Sequence, residues 1–229
     1  MTGLIDSTEM YLRTLYELRE EGIPPLRARL VERLHVSAPA ASESTARLAG
    51  DGLVAIADDR TVQFTEKGLA RATTVMRKHR LAELLLTNVI GLDWPLVHNE
   101  ACRWEHVISD EVESRLTEML GDPDRCPFGN TIPPGDPAGF QIRPGAPVSL
   151  LWAAGSTAGA DTPVTVGWIS ERLQTDESAM RELRDAGIVP GAKIAVRDIG
   201  SSVRIATADG HPPVDVTRQY AALVYLERH

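Results

Sequence analysis

Hydrophobic residues recur at helical spacing near the start of the chain and then alternate with polar residues over two short runs. The spacing predicts helices over residues 6–21, 26–34 and 40–48, with a tight break at Ser37-Ala38-Pro39 before the third. Residues 53–57 and 61–64 alternate as strands do, and Asp58-Asp59-Arg60 joins them as a hairpin. Three helices and a hairpin are the order of a winged helix-turn-helix, so we expect a DNA-binding domain over residues 1–73.

Two longer helical patterns follow, over residues 66–89 and 96–120, and they end at Gly91 and Gly121. Long helices after a DNA-reading module are typical of a dimer interface, because two half-sites of a duplex need two readers. The pattern therefore predicts a helical dimerisation domain over residues 74–140 and a homodimer that binds a double-stranded DNA operator.

Proline and glycine are concentrated between Cys126 and Pro147, which favours a semi-extended tether, assigned here to residues 141–149. Beyond it, one helical pattern covers about residues 176–186. Five short apolar runs read as strands: 148–153, 164–169, 193–197, 203–207 and 222–226. Short strands separated by glycine and proline turns predict a small barrel over residues 150–229. The fold class expected is mainly α with a small β part.

The charge and the cysteine content bear on how such a protein contacts DNA and in which cellular compartment it is found. The formal charge is −8, and residues 1–73 carry nine basic against eleven acidic residues, a net −2. DNA contact must therefore come from a local patch. The sequence has neither a membrane-length apolar run nor a signal-peptide pattern, and its two cysteines form no disulfide framework. We expect a cytoplasmic protein.

Four potential metal ligands occur within nine residues: His98, Cys102, Glu105 and His106. At ~100° per residue they point into an arc of about 100° on one helix. However, His98 and His106 are ~12 Å apart along the axis, too far for one ion whose bonds are ~2.0–2.3 Å long. The spacing predicts two sites, with Cys102, Glu105 and His106 in the downstream one.

The partners of these residues lie on other helices. His79 and Glu83 are four residues apart on the preceding helix and are candidates to join His98, while Met10 is a candidate soft donor for the downstream site. Such a mixed donor set suits Fe²⁺, Co²⁺, Ni²⁺ or Zn²⁺ over Ca²⁺ or Mg²⁺. Taken singly, each of these residues is more often a surface or core residue. A helical metalloenzyme is the alternative, although di-iron bundles use more carboxylates than the one per site found here.

Five segments carry a resemblance to a known family: residues 8–14, 25–29, 75–83, 100–107 and 127–130. In them, and over nearly the whole chain, the sequence resembles the iron-dependent repressors of the diphtheria toxin repressor and mycobacterial iron-dependent regulator type. The resemblance implies a metal-activated transcriptional repressor of iron homeostasis genes, not an enzyme, with an SH3-like C-terminal barrel. It implies Fe²⁺ as the cofactor, with Co²⁺, Ni²⁺, Mn²⁺ or Zn²⁺ as substitutes.

The resemblance also assigns the ligands. The implied regulatory site is Met10, Cys102 (with its carbonyl as a further candidate), Glu105 and His106. The implied ancillary site is His79, Glu83, His98, Glu171 and Gln174. Manganese-sensing relatives carry carboxylates where this chain has Met10 and Cys102, so the softer pair indicates an iron-type sensor. The family's anion site retains Arg80 and Asn130 here, but Cys126 replaces a serine, which puts anion binding in doubt.

The recognition helix departs from the family pattern. It reads Ser37-Ala38-Pro39-Ala40-Ala41-Ser42-Glu43, where the family usually has Ser-Gly-Pro-Thr-Val-Ser-Gln. Because Glu43 replaces a glutamine that faces bases, we expect altered operator preference or weaker binding; a metal-binding paralogue that has lost operator specificity is the alternative. The candidate DNA-binding residues are Arg27, Arg29, Ser37, Pro39, Ser42, Glu43, Arg47 and Arg60.

These residues suggest how a metal would act. We expect an ion to tie Met10 to the face formed by Cys102, Glu105 and His106, overcoming repulsion between Glu9 and Glu105. The two recognition helices would then sit at half-site spacing, ~34 Å apart. Such a switch shifts a population towards the state that binds the ion better.

Overall fold

The computed structural model describes residues 7–142, 148–156 and 163–227. Its N-terminal part is a winged helix-turn-helix, as the pattern predicts. The elements are α1 (Ser7–Glu20), α2 (Arg27–Leu34), α3 (Ala38–Gly50), β1 (Val54–Ile56) and β2 (Val62–Phe64). The two strands pair antiparallel, with Val54 opposite Phe64.

Side chains at the element ends explain these boundaries. The Ser37 hydroxyl accepts a hydrogen bond from the Ala40 amide at 3.3 Å and so caps α3. Pro39 lies in the first turn, where its missing N–H costs nothing. Ser37-Ala38-Pro39 is thus the beginning of the recognition helix and not a break before it. In the hairpin, Asp59 Oδ1 accepts hydrogen bonds from the amide and the hydroxyl of Thr61.

The middle of the chain is helical, but the prediction of one helix over residues 96–120 is wrong. After α4 (Glu66–Leu84) and a π-helical turn (Leu85–Ile90) come two helices, α5 (Trp94–Trp104) and α6 (Asp110–Leu120). The hydroxyl of Ser109 accepts from the Val112 amide and starts α6 as a new helix. Glu105 and His106 consequently lie in the turn after α5.

The C-terminal part contains a five-stranded antiparallel sheet with the order β6-β5-β4-β3-β7. Its elements are α7 (Leu150–Gly155), β3 (Val164–Ile169), α8 (Glu171–Gln174), α9 (Glu177–Asp185), β4 (Lys193–Asp198), β5 (Ser202–Thr207), β6 (Val214–Thr217), α10 (Arg218–Ala221) and β7 (Val224–Leu226). The strand predicted over 148–153 is wrong: most of that run is α7, capped by Ser149. Strand β6, which follows Pro212-Pro213, was not predicted.

The chain divides into two compact units. The first comprises residues 1–82, 102–122 and 132–146, and the second comprises residues 83–101, 123–131 and 147–229. The first unit has a core of fully buried residues from α1, α2 and α3, including Leu12, Leu30 and Leu48. The domain boundaries assigned from the sequence remain predictions.

In the second unit, the backbone at Gly129 packs closely against strand β3, which explains why a glycine occurs at this position. Gly129 has φ +83°, and a Cβ there would lie 2.1 Å from the Gly167 carbonyl oxygen of β3. The Ile169 amide donates to the Phe128 carbonyl at 2.9 Å, so residues 127–130 lie directly along β3. Only glycine permits this approach.

Among the described helices, none combines the length and the apolar character that crossing a bilayer requires.

Candidate metal centre

A buried carboxylate is the centre of a polar cluster in the first unit. Glu105 is 2% exposed. Its Oε2 accepts from Arg13 Nη1 at 2.9 Å and lies 2.6 Å from His79 Nδ1. Its Oε1 lies 3.2 Å from His106 Nε2. Helices α1 and α4 and the turn after α5 each contribute a side chain to this carboxylate.

The cysteine and the methionine predicted as ligands belong to the same region. Cys102, on α5, accepts from Arg13 Nη1 at 3.1 Å through its sulfur, so the nitrogen that contacts Glu105 also contacts the thiol. Met10 is half-buried on α1, and its carbonyl accepts from the Thr14 hydroxyl at 2.9 Å. Met10 precedes Arg13 by three residues and therefore lies on the same side of the helix.

Glu9 makes a second set of polar contacts beside the first. Its Oε2 lies 2.7 Å from His106 Nδ1, and its Oε1 accepts from Arg71 at 3.1 Å. Arg71 therefore compensates Glu9, Arg13 compensates Glu105, and His106 lies close to both carboxylates. The expected repulsion between Glu9 and Glu105 stays a prediction.

The pKa of Glu105 reflects this compensation. Burial raises the pKa of the carboxyl, but the charge of Arg13, followed by the hydrogen bond and charge of His79 and the charge of His106, holds it below its ordinary value. Glu105 is therefore an ionised, electron-rich ligand candidate at neutral pH.

His106 fits a metal ligand best by its hydrogen bonding. Because Nδ1 faces the Glu9 carboxylate, a His106 ring that has lost one proton to make room for an ion would keep the other on Nδ1 and offer the lone pair of Nε2 to the ion. That Nε2 is buried and makes no aligned hydrogen bond in the described part of the chain, although Glu105 Oε1 lies 3.2 Å away. An imidazole oriented by a carboxylate through its other nitrogen is a recurrent arrangement at metal sites. The donors present thus fit a first-row divalent ion.

The second unit holds the other group of predicted ligands. Glu83, near the end of α4, and His98, on α5, are each 1% exposed, and Glu83 Oε1 lies 3.3 Å from His98 Nδ1. Helix α5 is linked to α9 by a hydrogen bond from the Asn99 amide to Glu177 at 3.0 Å.

Glu171 and Gln174, on α8, are also buried, at 4% and 0% exposure. Gln174 Nε2 donates to the carbonyl of Ile169 at 2.7 Å and to Asn130 Oδ1 at 3.1 Å. Its Oε1 has no hydrogen-bond partner among the described atoms. An unsatisfied buried oxygen is costly unless something binds it, so it suits a cation ligand. His79 belongs to the first unit, so the five-residue ancillary site remains a prediction.

Of the residues that the family resemblance implies for an anion site, Arg80 belongs to the first unit, and Cys126 and Asn130 belong to the second. Arg80 is fully buried and donates to both carboxylate oxygens of Glu20, at 3.0 and 2.6 Å. In the second unit, Cys126 Sγ lies 3.6 Å from Asn130 Oδ1. Arg80 already has an anionic partner, which weakens the case for a second anion there.

The candidate DNA-binding residues lie on α2, α3 and the hairpin. Arg27, Arg29, Ser37, Pro39, Glu43, Arg47 and Arg60 are exposed and Ser42 is half-buried. Arg27 donates to the Ser42 hydroxyl at 3.5 Å, and Arg47 donates to the Thr8 hydroxyl on α1 at 2.9 Å. Arg60 sits at the hairpin turn with φ +65°.

Sequence reasoning missed the arginine that contacts Cys102 and Glu105, as well as Arg71. The signal available was the three-residue spacing of Met10 and Arg13 on α1, which places both on one helix face. Which face of α1 meets α5 is a tertiary fact that one sequence does not contain.

Three family models match the chain. The iron-dependent repressor N-terminal DNA-binding domain matches residues 3–62, and the iron-dependent repressor metal-binding and dimerisation domain matches residues 65–134. The diphtheria toxin repressor SH3 domain matches residues 153–227.

Individual proteins are similar to this chain over nearly its whole length. The iron-dependent repressor IdeR of Mycobacterium tuberculosis is 46% identical over 230 residues, which is 100% of each chain. The diphtheria toxin repressor of Corynebacterium diphtheriae is 48% identical over 211 residues, 92% of this chain and 89% of that protein. A solved manganese-dependent transcriptional repressor in complex with manganese has a TM-score of 0.79 at 31% identity, and covers 97% of this chain and 100% of its own.

Proposed function

Because this chain belongs to the iron-dependent repressor family, we propose that Met10, Cys102, Glu105 and His106 bind the regulatory ion and that α3 reads the operator. The observation that carries the proposal is the buried His106 Nε2, which has no hydrogen-bond partner among the described residues and lies 3.2 Å from the Glu105 carboxylate. The thiol of Cys102 and the thioether of Met10 supply softer donors from α5 and α1.

The donor set supports Fe²⁺ as the physiological ion. A sulfur pair with one carboxylate and one imidazole suits a borderline ion better than Mg²⁺ or Ca²⁺. Relatives of 43–48% identity bear the names iron-dependent repressor and diphtheria toxin repressor, while structural neighbours were solved with manganese, zinc or cadmium. We expect Mn²⁺, Zn²⁺, Co²⁺ and Ni²⁺ to act as substitutes.

A bound divalent ion supplies two positive charges and directed bonds at a cluster whose donors come from α1 and from the end of α5. The protein's own hydrogen bonds connect this cluster to the recognition helix. Arg47 of α3 donates to Thr8 of α1 at 2.9 Å, and the adjacent Glu9 lies 2.7 Å from His106. Fixing the first turn of α1 therefore fixes an anchor of α3.

We assign operator contact to the exposed face of α2, α3 and the hairpin. Arg27, Arg29, Arg47 and Arg60 would contact phosphates, while Ser37, Pro39, Ser42 and Glu43 would face the groove. We further propose a homodimer, because a repressor with one reading helix per chain needs two copies for two half-sites. A protein that acts on the bacterial chromosome in this way works in the cytoplasm.

We also propose that His79, Glu83, His98, Glu171 and Gln174 form the ancillary site. The carboxylate facing His98 and the unsatisfied Gln174 Oε1 support it. We favour a regulator over a metalloenzyme because the matching family models describe the DNA-binding domain and the metal-binding and dimerisation domain of a repressor.

Selection of sequences from a random duplex pool, with and without Fe²⁺ under anaerobic conditions, tests the function. We expect one palindromic motif to be enriched only with Fe²⁺, and Cys102→Ser to lose this enrichment. Cys126→Ser is the matched control, because Cys126 lies outside the proposed regulatory site. Equal enrichment with and without Fe²⁺ would contradict the proposal.

A second reading, a metal-binding protein with altered operator specificity, is favoured by Glu43. This exposed carboxylate on α3 faces the phosphate charge of a bound duplex. Replacing it with glutamine removes that repulsion and allows a bidentate contact with adenine, each such contact being worth about 1–3 kcal/mol. We therefore expect Glu43→Gln to raise affinity for the operators of the 43–48% identical relatives about tenfold or more, measured by fluorescence anisotropy, with Glu111→Gln on α6 unchanged. If the wild-type protein bound the operators of those relatives as tightly as the relatives do, this interpretation would be refuted.

A further inference from the structure

Arg13 lies inside the metal cluster and is only 4% exposed. Its Nη1 donates to both carboxylate oxygens of Glu105, at 2.9 and 3.1 Å, and to Cys102 Sγ at 3.1 Å. Its Nε donates to Glu17 Oε1 at 2.9 Å, one turn further along α1. One guanidinium nitrogen therefore faces the lone pairs of two proposed metal ligands at once.

A guanidinium nitrogen and a metal ion cannot both occupy this position. A first-row ion bonded to Cys102 Sγ and to a Glu105 oxygen would lie ~2.0–2.3 Å from each of them. Its bonds would use the lone pairs that the Arg13 N–H groups now face, and two cations so close would repel each other strongly.

We propose that Arg13 is a displaceable internal cation, which fills the ion's position in the ion-free protein and leaves when the ion binds. The inference rests on the proposed function, because it takes Cys102 and Glu105 as ligands. Glu17, which is 13% exposed in its side chain, gives the displaced guanidinium a second anchor at the edge of the cluster. Activation is then an exchange of one cation for another.

The exchange affects how tightly an ion must bind to activate the protein and which ions can do so. Arg13 keeps the buried Glu105 compensated before any ion arrives, so an unoccupied cluster is not left with an isolated buried charge. An entering ion must replace hydrogen bonds to both a carboxylate and a sulfur. Mg²⁺ gains little from sulfur and so displaces Arg13 poorly, whereas Fe²⁺ and Co²⁺ gain from both donors.

Titration of the full-length protein with Co²⁺ under nitrogen tests the exchange, using the absorbance of the cobalt–thiolate bond as the signal. In Arg13→Met the entering ion no longer has to displace hydrogen bonds from a charged group. The loss of one such bond corresponds to a tenfold change in an equilibrium constant or more, so we expect the Co²⁺ dissociation constant to fall by about tenfold or more. The same variant should lower the thermal midpoint of the ion-free protein more than that of the loaded protein.

Arg77→Met is the matched control. Arg77 is a buried arginine on α4 whose partners are Glu113, Thr117 and the Pro133 carbonyl. We expect it to lower the thermal midpoint of both forms and to change the Co²⁺ dissociation constant by no more than about twofold. Unchanged or weaker Co²⁺ binding by a folded Arg13→Met protein would overturn the proposal, because Arg13 would then be neutral or supportive.

A measurement on the wild-type protein covers the case in which Arg13→Met does not fold. The guanidinium ¹⁵N–¹H signal of Arg13, assigned with Arg13→Lys, should be protected from solvent without metal and should shift and exchange with water when Zn²⁺ is added. A signal that stays unchanged at saturating Zn²⁺ overturns the exchange. Loss of the cobalt–thiolate absorbance in Cys102→Ser is the separate test of the site itself, so failure of the proposed function and failure of the exchange give different results.

Discussion

Glu105 is the residue on which the cluster depends, because it is buried, ionised and in contact with Arg13, His79 and His106. A buried charge is tolerated only when partners compensate it, and removal of one partner leaves the others uncompensated. The same carboxylate therefore has a structural role without the ion and a proposed ligand role with it.

Replacing this carboxylate should affect both roles. In Glu105→Gln the buried Arg13 loses its main anionic partner, and we expect the ion-free protein to lose about 3 kcal/mol of unfolding free energy. Urea denaturation measures the loss, and Fe²⁺-dependent DNA binding should disappear as well. Glu118→Gln, an exposed residue of α6, should change stability by less than about 0.5 kcal/mol. A stable Glu105→Gln protein with normal Fe²⁺ response would show that Glu105 has neither role.

At the residue scale, the candidate donors could be identified from the sequence, but the arginines that compensate their charge could not. Spacing within residues 98–106 indicated sulfur, oxygen and nitrogen donors on one short segment. Arg13 and Arg71 contact Glu105 and Glu9 from elements far away in the sequence, so no local pattern indicates those contacts.

At the scale of elements, α1 connects several parts of the first unit, since it carries Thr8, Glu9 and Arg13. Arg47 joins the recognition helix to α1 through the Thr8 hydroxyl. This hydrogen bond gives a physical link from the proposed metal site to α3, the helix proposed to read DNA.

Removal of the Thr8 hydroxyl should uncouple the two helices. Valine keeps the shape but accepts no hydrogen bond from Arg47, and a loss of about 1 kcal/mol corresponds to a factor of roughly five. We expect Thr8→Val to reduce the Fe²⁺-dependent gain in DNA affinity by about that factor, with the Co²⁺ dissociation constant unchanged. Anisotropy and absorbance titrations measure the two quantities. Thr74→Val, which loses a hydrogen bond to the Ala70 carbonyl within the same helix, is the control; an equal effect there would refute the link.

Helix α9 offers a test in the second unit. Asp176 caps it by accepting from the Ser178 and Ala179 amides and also accepts from the Tyr220 hydroxyl. The Tyr220 hydrogen bond, followed by the Ala179 amide, lowers the pKa of Asp176 below its ordinary value of 3.8.

A carboxyl whose pKa is lower in the folded state contributes stability above its unfolded pKa and loses it as the pH falls through the folded pKa. We expect Asp176→Ala to cost about 1 kcal/mol at neutral pH, with the difference from wild type shrinking below pH 3.8. Urea denaturation followed by circular dichroism over this pH range measures it. A pH-independent difference for Asp176→Ala would contradict the assignment.

At the element scale, long periodic segments were predicted well and their interruptions were not. The helix expected over 96–120 is broken because Ser109 caps a new helix, and the strand expected at 148–153 is largely helix α7 because Ser149 caps it. Serine caps compete with the apolar periodicity on which the predictions relied. Strand β6 is four residues long and is defined by its pairing with β5, which is a tertiary property.

The charge of the whole molecule sets the conditions for DNA binding. With a net charge of −8, the protein gains no general attraction to a duplex, so we expect its DNA affinity to depend on a few exposed arginines and on the ion. Non-specific binding should accordingly be weak.

Arg60, at the tip of the hairpin, tests this dependence. We expect Arg60→Gln to weaken binding about equally for all operator sequences and to reduce the slope of log affinity against log salt by about 1, because one phosphate contact is lost. Arg115→Gln on α6, whose side chain pairs with Glu111 and Glu118, should leave the slope unchanged. A sequence-specific loss with an unchanged slope would place Arg60 against a base instead of a phosphate.

The position of the ion can be measured directly by anomalous diffraction from crystals of the full-length protein grown with Co²⁺. We expect a peak bonded to Met10, Cys102, Glu105 and His106, with the Arg13 guanidinium moved away from Cys102. A loaded protein whose peaks all lie elsewhere, with these four side chains turned apart, would contradict the assignment of the regulatory site.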